Sequence, residues 1–219
     1  MMEGTGLVIK SAGSTYTVRA SGSLTMDCKL AGKYRLEELR STNPVVVGDR
    51  VDFVLEDGKQ PGRITRVRER KNYIIRKSTK LSNSHQIIAS NIDQLMLMVT
   101  VKSPVTHAGF IDRYLVSAEA YSIPSILLIN KTDLYGPPET ATVNDWKEIY
   151  GKIGYPCIEC SVKENLHIDL IQEYLRDKVT LLGGNSGVGK STLINAIEPG
   201  LKLKTSEISS YHKAGKHTT

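Results

Sequence analysis

The sequence predicts an α/β chain in two parts, a small N-terminal β-barrel followed by a doubly wound parallel sheet. Three observations carry this. Short alternating strands with turn residues fill residues 1–77. From Asn91 onward, nearly continuous apolar runs alternate with helical patterns. Gly184-Asn185-Ser186-Gly187-Val188-Gly189-Lys190-Ser191 then fits the phosphate-loop pattern G-x-x-x-x-G-K-[ST] in full.

In the first part, Gly6–Lys10 and Ser14–Arg19 are strand candidates around Ala12-Gly13, and Leu24–Leu30 is a weaker third. Arg50–Leu55 alternates cleanly before the turn residues Glu56-Asp57-Gly58-Lys59, and Arg63–Arg68 alternates again. About five short strands in this length suit a small barrel of the OB or SH3-like kind. Residues 1–80 hold 16 Lys/Arg against 9 Asp/Glu, a net of +7, whereas residues 81–219 carry −1. The basic residues cluster at Arg63, Arg66, Arg68, Arg70, Lys71, Arg76 and Lys77, with Tyr73 among them. Such a face neutralises phosphates, and an aromatic side chain can stack a base. Arg63, Arg66, Arg68, Lys71 and Tyr73 are therefore the candidate RNA-binding residues. The ordinary alternatives are a solvated basic face and core packing of Tyr73. Residues 78–90 are polar and aperiodic and read as a linker.

In the second part, Leu95–Val101 reads as a strand buried on both faces, followed by a helix over Phe110–Ala120. Ser125–Ile129 is the next strand, and a helix follows over roughly Val143–Tyr150. Tyr155–Cys160 reads as a strand, Leu166–Leu175 as a helix, and Val179–Leu182 as the strand that feeds the phosphate loop. Thr192–Ile197 continues as a helix and ends at Pro199-Gly200. In such sheets ligands bind beyond the carboxyl ends of the strands. The loop glycines admit a phosphate where a Cβ would clash, and the helix N-terminus presents partial positive charge to it. Gly184 to Ser191, with Thr192 beside them, are candidate nucleotide-binding residues. Lys190 would reach the β- and γ-phosphates and is a candidate catalytic group, and Ser191 would ligate Mg²⁺.

Immediately after the Ser125–Ile129 strand comes Asn130-Lys131-Thr132-Asp133. A carboxylate only accepts hydrogen bonds. Guanine offers its N1–H and exocyclic amino group side by side, which Asp133 could accept together; adenine would leave Asp133 unpaired. Asn130 can hold the local loops, and the Lys131 stem can cover a ring face. A backbone N–H within Ser161-Val162-Lys163 could reach guanine O6. Cys157 and Cys160 form a C-x-x-C with no second pair to complete a zinc site, so they read as strand cysteines. With Cys28 they make three cysteines, which is no disulfide framework. No apolar run approaches a membrane span and no signal-peptide pattern is present, so the chain reads as soluble and cytoplasmic. The Gly-containing stretch ending in Thr218-Thr219 suits a switch loop in which a threonine completes Mg²⁺ coordination.

The order of motifs is permuted: the base-reading Asn130–Asp133, then Ser161–Lys163, then the phosphate loop. Together with the basic barrel, this closely resembles the RsgA/YjeQ family, the circularly permuted GTPases that depend on the small ribosomal subunit. Asn91-Ile92-Asp93-Gln94, Ile111-Asp112-Arg113-Tyr114-Leu115 and Gly215-Lys216-His217-Thr218-Thr219 match it as well. The resemblance implies an OB-fold-like RNA-binding barrel over 1–77, a linker over 78–90, and a circularly permuted P-loop GTPase domain over 91–219 that is incomplete at its C-terminus. It implies binding of GTP and GDP with Mg²⁺, hydrolysis stimulated by the small ribosomal subunit and its rRNA, and a role in late maturation of that subunit, with hydrolysis promoting release. A monomer without membrane attachment is expected. The resemblance puts Thr219 at the Mg²⁺-binding switch position and makes His217 the candidate group for positioning the attacking water. Val162 stands where alanine is usual, at a position where the backbone does the work. The family's D-x-P-G motif and zinc-binding domain are expected beyond Thr219, so zinc is expected only there. Two other readings compete: a non-hydrolysing, GTP-dependent RNA-binding module, and a P-loop ATPase, against which Asp133 argues.

Overall fold

The computed structural model describes residues 2–20, 22, 24–31, 44–56, 61–77 and 85–205. The chain divides into two compact units, Met1–Ile92 and Asp93–Thr219.

In the first unit, β1 (Met2–Ala12), β2 (Thr15–Ala20), β3 (Thr25–Leu30), β4 (Arg50–Leu55) and β5 (Gly62–Val67) close into a barrel. The strand order is β1-β2-β3-β5-β4, with β4 returning to β1. All pairs are antiparallel except β3 with β5. Closure leaves no barrel strand with an open edge. The period-two pattern sends Val8, Tyr16, Val18, Met26, Cys28, Val51, Phe53, Leu55 and Ile64 into the core. A bulge in the β4–β5 pair at Thr65 shifts the register, so Arg63 pairs with Val54 and Arg66 with Asp52. The extra residue returns Arg66 to the face of Arg63, and Arg68 follows on it. That is why basic residues spaced irregularly in sequence share one outer face.

The segment read as a linker differs from that reading. Residues 78–84 lie outside the described residues, but His85–Ser90 is a strand, β7, antiparallel to β6 (Tyr73–Lys77). The pairing steps from Ile74–Ala89 to Ile75–Ile87, which leaves Ile88 bulged and exposed. The bulge breaks the two-residue alternation, so the strand carries no clear period in sequence.

Beside this hairpin, Asp49 is fully buried. Its carboxylate accepts hydrogen bonds from Arg70 Nε (2.7 Å) and Nη2 (2.8 Å), Ser90 Oγ (2.6 Å) and the Val46 N–H (2.9 Å). Arg70 also donates to the Pro44 carbonyl at 3.0 Å. Arg70, counted in the basic stretch, is thus committed to the interior. Asp49→Ala removes the carboxylate that this guanidinium meets and should cost about 3–5 kcal/mol of stability, as breaking one side of a buried ion pair does. Urea unfolding of the variant measures this, and a loss under about 1 kcal/mol would show a merely surface-like pair.

In the second unit a four-stranded parallel sheet has the order β10-β9-β8-β11, from β8 (Gln94–Val99), β9 (Ser125–Ile129), β10 (Cys157–Glu159) and β11 (Thr180–Gly183). Every residue of the central strands β8 and β9 is buried. Helices α1 (Ala108–Glu119), α2 (Pro137–Lys152), α3 (Ile168–Leu175) and α4 (Lys190–Ile197) supply the covering layers. Met96, Met98, Ile126, Leu128, Ile158 and Cys160 pack with Ile168 and Ile171 of α3 and Leu193 of α4. On the opposite face, Tyr114 of α1 lies over Gly183, where a Cβ would come within 3.1 Å of its ring. Helix α2 begins at Pro137, six residues before the expected Val143. Pro137-Pro138 looks like loop, yet proline fits the first helical turn, and Glu139 Oε2 accepts the Gly136 N–H at 2.9 Å. Among the described residues no helix is long and apolar enough to cross a membrane.

Candidate functional site

The chain moves from β8 to β9 to β10 on one side, then returns to place β11 on the other side of β8. Direction therefore reverses between β8 and β11, and ligands of doubly wound sheets sit at that switch point, beyond the carboxyl ends. Three of the loops leaving that edge are the motifs singled out in the sequence: 130–133 after β9, 160–163 after β10, and 184–191 after β11.

The 184–191 loop needs its glycines. Gly184 has φ 140° and Gly189 has φ 108°. A Cβ at Gly184 would lie 2.3 Å from the Met98 carbonyl oxygen, and one at Gly189 would lie 2.5 Å from Asn130 Nδ2. Val188 is buried and anchors the loop in the core, whereas Asn185, Ser186 and Gly187 are half-buried. Lys190 opens α4 and folds back over its own loop, donating to the carbonyls of Gly184 (2.9 Å) and Asn185 (2.7 Å). Among the described residues it has no carboxylate partner, and burial pulls its pKa below the ordinary lysine value. A desolvated cation at a glycine cradle and a helix N-terminus fits an anion of the phosphate class. Ser191 is half-buried in the first turn of α4, where a hydroxyl could meet a hard cation, and Thr192 is exposed beside it. Thr219 and His217 lie outside the described residues, so for Mg²⁺ the described donor set consists of Ser191.

Asn130 is the knot of the site. It is buried, and its Nδ2 donates to the Val188 carbonyl at 2.8 Å. Its Oδ1 accepts from Cys160 Sγ and from the Val162 N–H, both at 3.4 Å. One amide thus joins all three motif loops. Lys131, at φ 67°, sends its ammonium to the carbonyls of Gly187 (2.8 Å) and Ser103 (2.6 Å). Burial lowers its pKa too, opposed by the nearby Asp133 charge. The Asp133 side chain is only 11% exposed. Its Oδ1 accepts from Ser161 Oγ at 2.6 Å, and its Oδ2 lies 3.9 Å from Lys163 Nζ, which is largely exposed. The Ser161 hydroxyl in turn accepts the Glu164 N–H at 3.2 Å.

Sequence reasoning passed over two contributors. Thr132 ties the β9 loop to the β10 loop, donating from its N–H (3.2 Å) and Oγ1 (3.1 Å) to the Cys160 carbonyl. Tyr135 bridges the ends of β8 and β9 through its hydroxyl. Thr132 occupies the variable place of N-K-x-D and Tyr135 falls outside it, so no local pattern marks either. Among the described residues no three His, Cys, Asp or Glu side chains group closely enough to hold a metal ion.

On the barrel, Arg63 pairs with Glu56 (3.0 Å) and Arg68 with Asp52 (2.7 Å), both at the surface. Arg66 and Lys71 are exposed, and Tyr73 is half-buried at the start of β6. Exposed pairs of this kind are worth about 0–1 kcal/mol, so they yield readily to a phosphate.

The RsgA GTPase family model matches residues 67–219, and the RsgA N-terminal domain model matches residues 5–64. The chain belongs to the RsgA GTPase family. It is 50% identical over 214 residues to the small ribosomal subunit biogenesis GTPase RsgA 2 of Bacteroides thetaiotaomicron, covering 98% of this chain and 69% of that one. It is 50% identical over 216 residues to the RsgA of Christiangramia forsetii, with the same coverage. Among solved structures it matches YjeQ from Thermotoga maritima with a TM-score of 0.73 and 36% identity, over 98% of this chain and 73% of that one. It also matches YloQ, described as a circularly permuted GTPase, with a TM-score of 0.65 and 30% identity, over 90% of this chain and 65% of that one. The fold is therefore the OB-like barrel followed by the circularly permuted GTPase domain, and the chain is a GTPase of the RsgA family.

Proposed function

We propose that this RsgA-family GTPase binds GTP and GDP in the crevice beyond β8 and β11 and acts in late maturation of the small ribosomal subunit, with GTP hydrolysis promoting its release. The observation that carries the nucleotide reading is the stitching of three loops by Asn130, which sets the Asp133 carboxylate and the phosphate loop on one edge of the sheet. Relatives about 50% identical over nearly the whole chain bear the name of small ribosomal subunit biogenesis GTPases, which supports the role.

In this reading Asp133 accepts the N1–H and amino group of guanine, while the 161–163 backbone closes on O6. Ser161 holds the Asp133 carboxylate so that Oδ2 stays directed to the base, and the Lys131 stem covers the ring. Gly184 to Thr192 wrap the phosphates. The Lys190 ammonium exchanges two neutral carbonyl partners for phosphate oxygens, a stronger charge-assisted contact. Ser191 and Thr219 would hold Mg²⁺, which when bound neutralises charge on the β- and γ-phosphate oxygens. His217 is proposed to position the attacking water. Residues 1–77 serve as the rRNA-binding barrel and 91–219 as the GTPase domain; the protein works as a cytoplasmic monomer without a membrane. The chain spans 69% of the length of these relatives, and zinc is proposed only for a domain in the remainder.

The rRNA contact is proposed for the outer barrel face of Arg63, Arg66 and Arg68, with Lys71 and Tyr73 beside it. Charge reversal at Arg66, Arg68 and Lys71 should weaken small-subunit binding and leave GDP affinity unchanged. Each phosphate contact releases counterions, so losing three should flatten the log–log salt dependence by roughly 2–3 units. Intrinsic hydrolysis should persist while stimulation by the subunit is lost. Co-sedimentation with purified small subunits across a salt series measures it; unchanged affinity and slope would leave this face a solvated one.

A further inference from the structure

The ladder between β8 and β9 ends unusually. The strands are parallel, with Val99 opposite Ile129, and the Asn130 N–H donates to the Val99 carbonyl at 2.9 Å. The next rung of a parallel ladder would run from the Val101 N–H to the Asn130 carbonyl. In its place stands the hydroxyl of Tyr135. The Val101 N–H donates to Tyr135 Oη at 2.9 Å, and Tyr135 Oη–H donates to the Asn130 carbonyl at 2.5 Å. One hydroxyl has been inserted into a rung that backbone groups would otherwise make directly, over about 2.9 Å.

The two strands part company at that point. Past Asn130 the chain turns through Lys131 at φ 67° into the single 3₁₀ turn Thr132–Leu134, which carries Asp133. Past Val101 it leads to Ser103, whose carbonyl takes the Lys131 ammonium. The divergence thus makes the room in which Lys131 bridges Ser103 and Gly187. It also sets the direction in which the Asn130–Asp133 loop leaves the sheet.

We propose that Tyr135 is a positioning residue for guanine recognition: its hydroxyl replaces the last β8–β9 rung, stops the two strands from zipping further, and so fixes the loop that presents Asp133 to the base. This rests on the reading of Asp133 as the base acceptor. Burial pushes the Tyr135 phenol up to about 12, so it remains a protonated donor at neutral pH. Asn130 is both the residue whose carbonyl Tyr135 holds and the residue whose side chain ties the three loops together. A shift there therefore passes directly to Asp133.

Tyr135→Phe keeps the ring and removes only the inserted hydroxyl. GDP and IDP affinities are compared by calorimetry, because hypoxanthine lacks the exocyclic amino group that Asp133 would accept. The full chain, Tyr135→Phe and Asp133→Asn are measured side by side, with thermal melting of each. The expected result is a GDP:IDP affinity ratio lowered by about tenfold in Tyr135→Phe, the effect of weakening one hydrogen bond to a charged acceptor. The KM for GTP should rise while kcat holds. A ratio that matches the unmodified protein overturns the proposal, whatever happens to the absolute affinities or to the melting temperature. If the unmodified protein shows no preference for GDP over IDP, or Asp133→Asn leaves the ratio untouched, the base-acceptor reading itself fails and the Tyr135 proposal falls with it. If that reading holds and only Tyr135→Phe is silent, the hydroxyl is structural alone.

Discussion

Lys190→Ala should abolish tight binding of both GTP and GDP while the protein still folds. The Lys190 ammonium is half-buried, meets the carbonyls of Gly184 and Asn185 among the described residues, and titrates below its ordinary value because of that burial. A phosphate chain placed in the loop would lose the ammonium that folds back over it from the first turn of α4. Truncating one partner of a desolvated charge pair costs about 2–5 kcal/mol, or roughly 30- to 4,000-fold in Kd. The loop should keep its shape, because Val188 is anchored in the core and Asn130 grips its carbonyl. Calorimetric titration with GDP decides it. An unchanged GDP affinity would remove the phosphate-loop assignment, and a large fall in melting temperature would show that Lys190 holds the loop rather than a ligand.

Asp133→Asn should exchange the base preference. The variant can still accept the Ser161 hydroxyl at its oxygen, so the side chain keeps its place. Its amide nitrogen then faces the ligand where a carboxylate oxygen stood. Guanine meets that nitrogen with its amino group, donor against donor, and loses a charge-assisted hydrogen bond worth about 1.5–3 kcal/mol. Xanthine offers a carbonyl at the same place and gains a partner. The Lys163 contact at 3.9 Å on an exposed side chain contributes little to the balance. GTP affinity should fall and XTP affinity should rise until their order inverts. A variant that still prefers GTP over XTP would show that Asp133 does not read the base.

Much of the second unit was legible because its signals are local. Ser125–Ile129 is continuous, apolar and buried on both faces, and it lies where the sequence placed it. The phosphate loop and the N-K-x-D stretch follow their strands directly, so strand, loop and motif reinforce one another. The barrel was legible for the same reason, with five strands close to their expected places.

What escaped depends on pairing across long separations. Arg70 reads as one more basic residue until Asp49, 21 positions earlier, is brought beneath it. Strand β7 hides its period behind the bulge at Ile88. The start of α2 hides in Pro137-Pro138, where proline signals loop and first helical turn alike. Tyr135 matters only because parallel pairing ends at Ile129 and its hydroxyl takes the next rung; nothing in a tyrosine after a leucine announces that. That β11 lies beside β8 rather than β10 follows from the permuted order of motifs and not from any single segment.

Single-turnover GTP hydrolysis, with and without purified small ribosomal subunits and with large subunits as the control, tests the central claim most directly. Slow intrinsic turnover that small subunits accelerate, that large subunits do not accelerate, and that is not seen with ATP in place of GTP, is the result predicted here. GTP that is bound but never cleaved under any of these conditions would contradict it and leave a GTP-dependent RNA-binding module in its place.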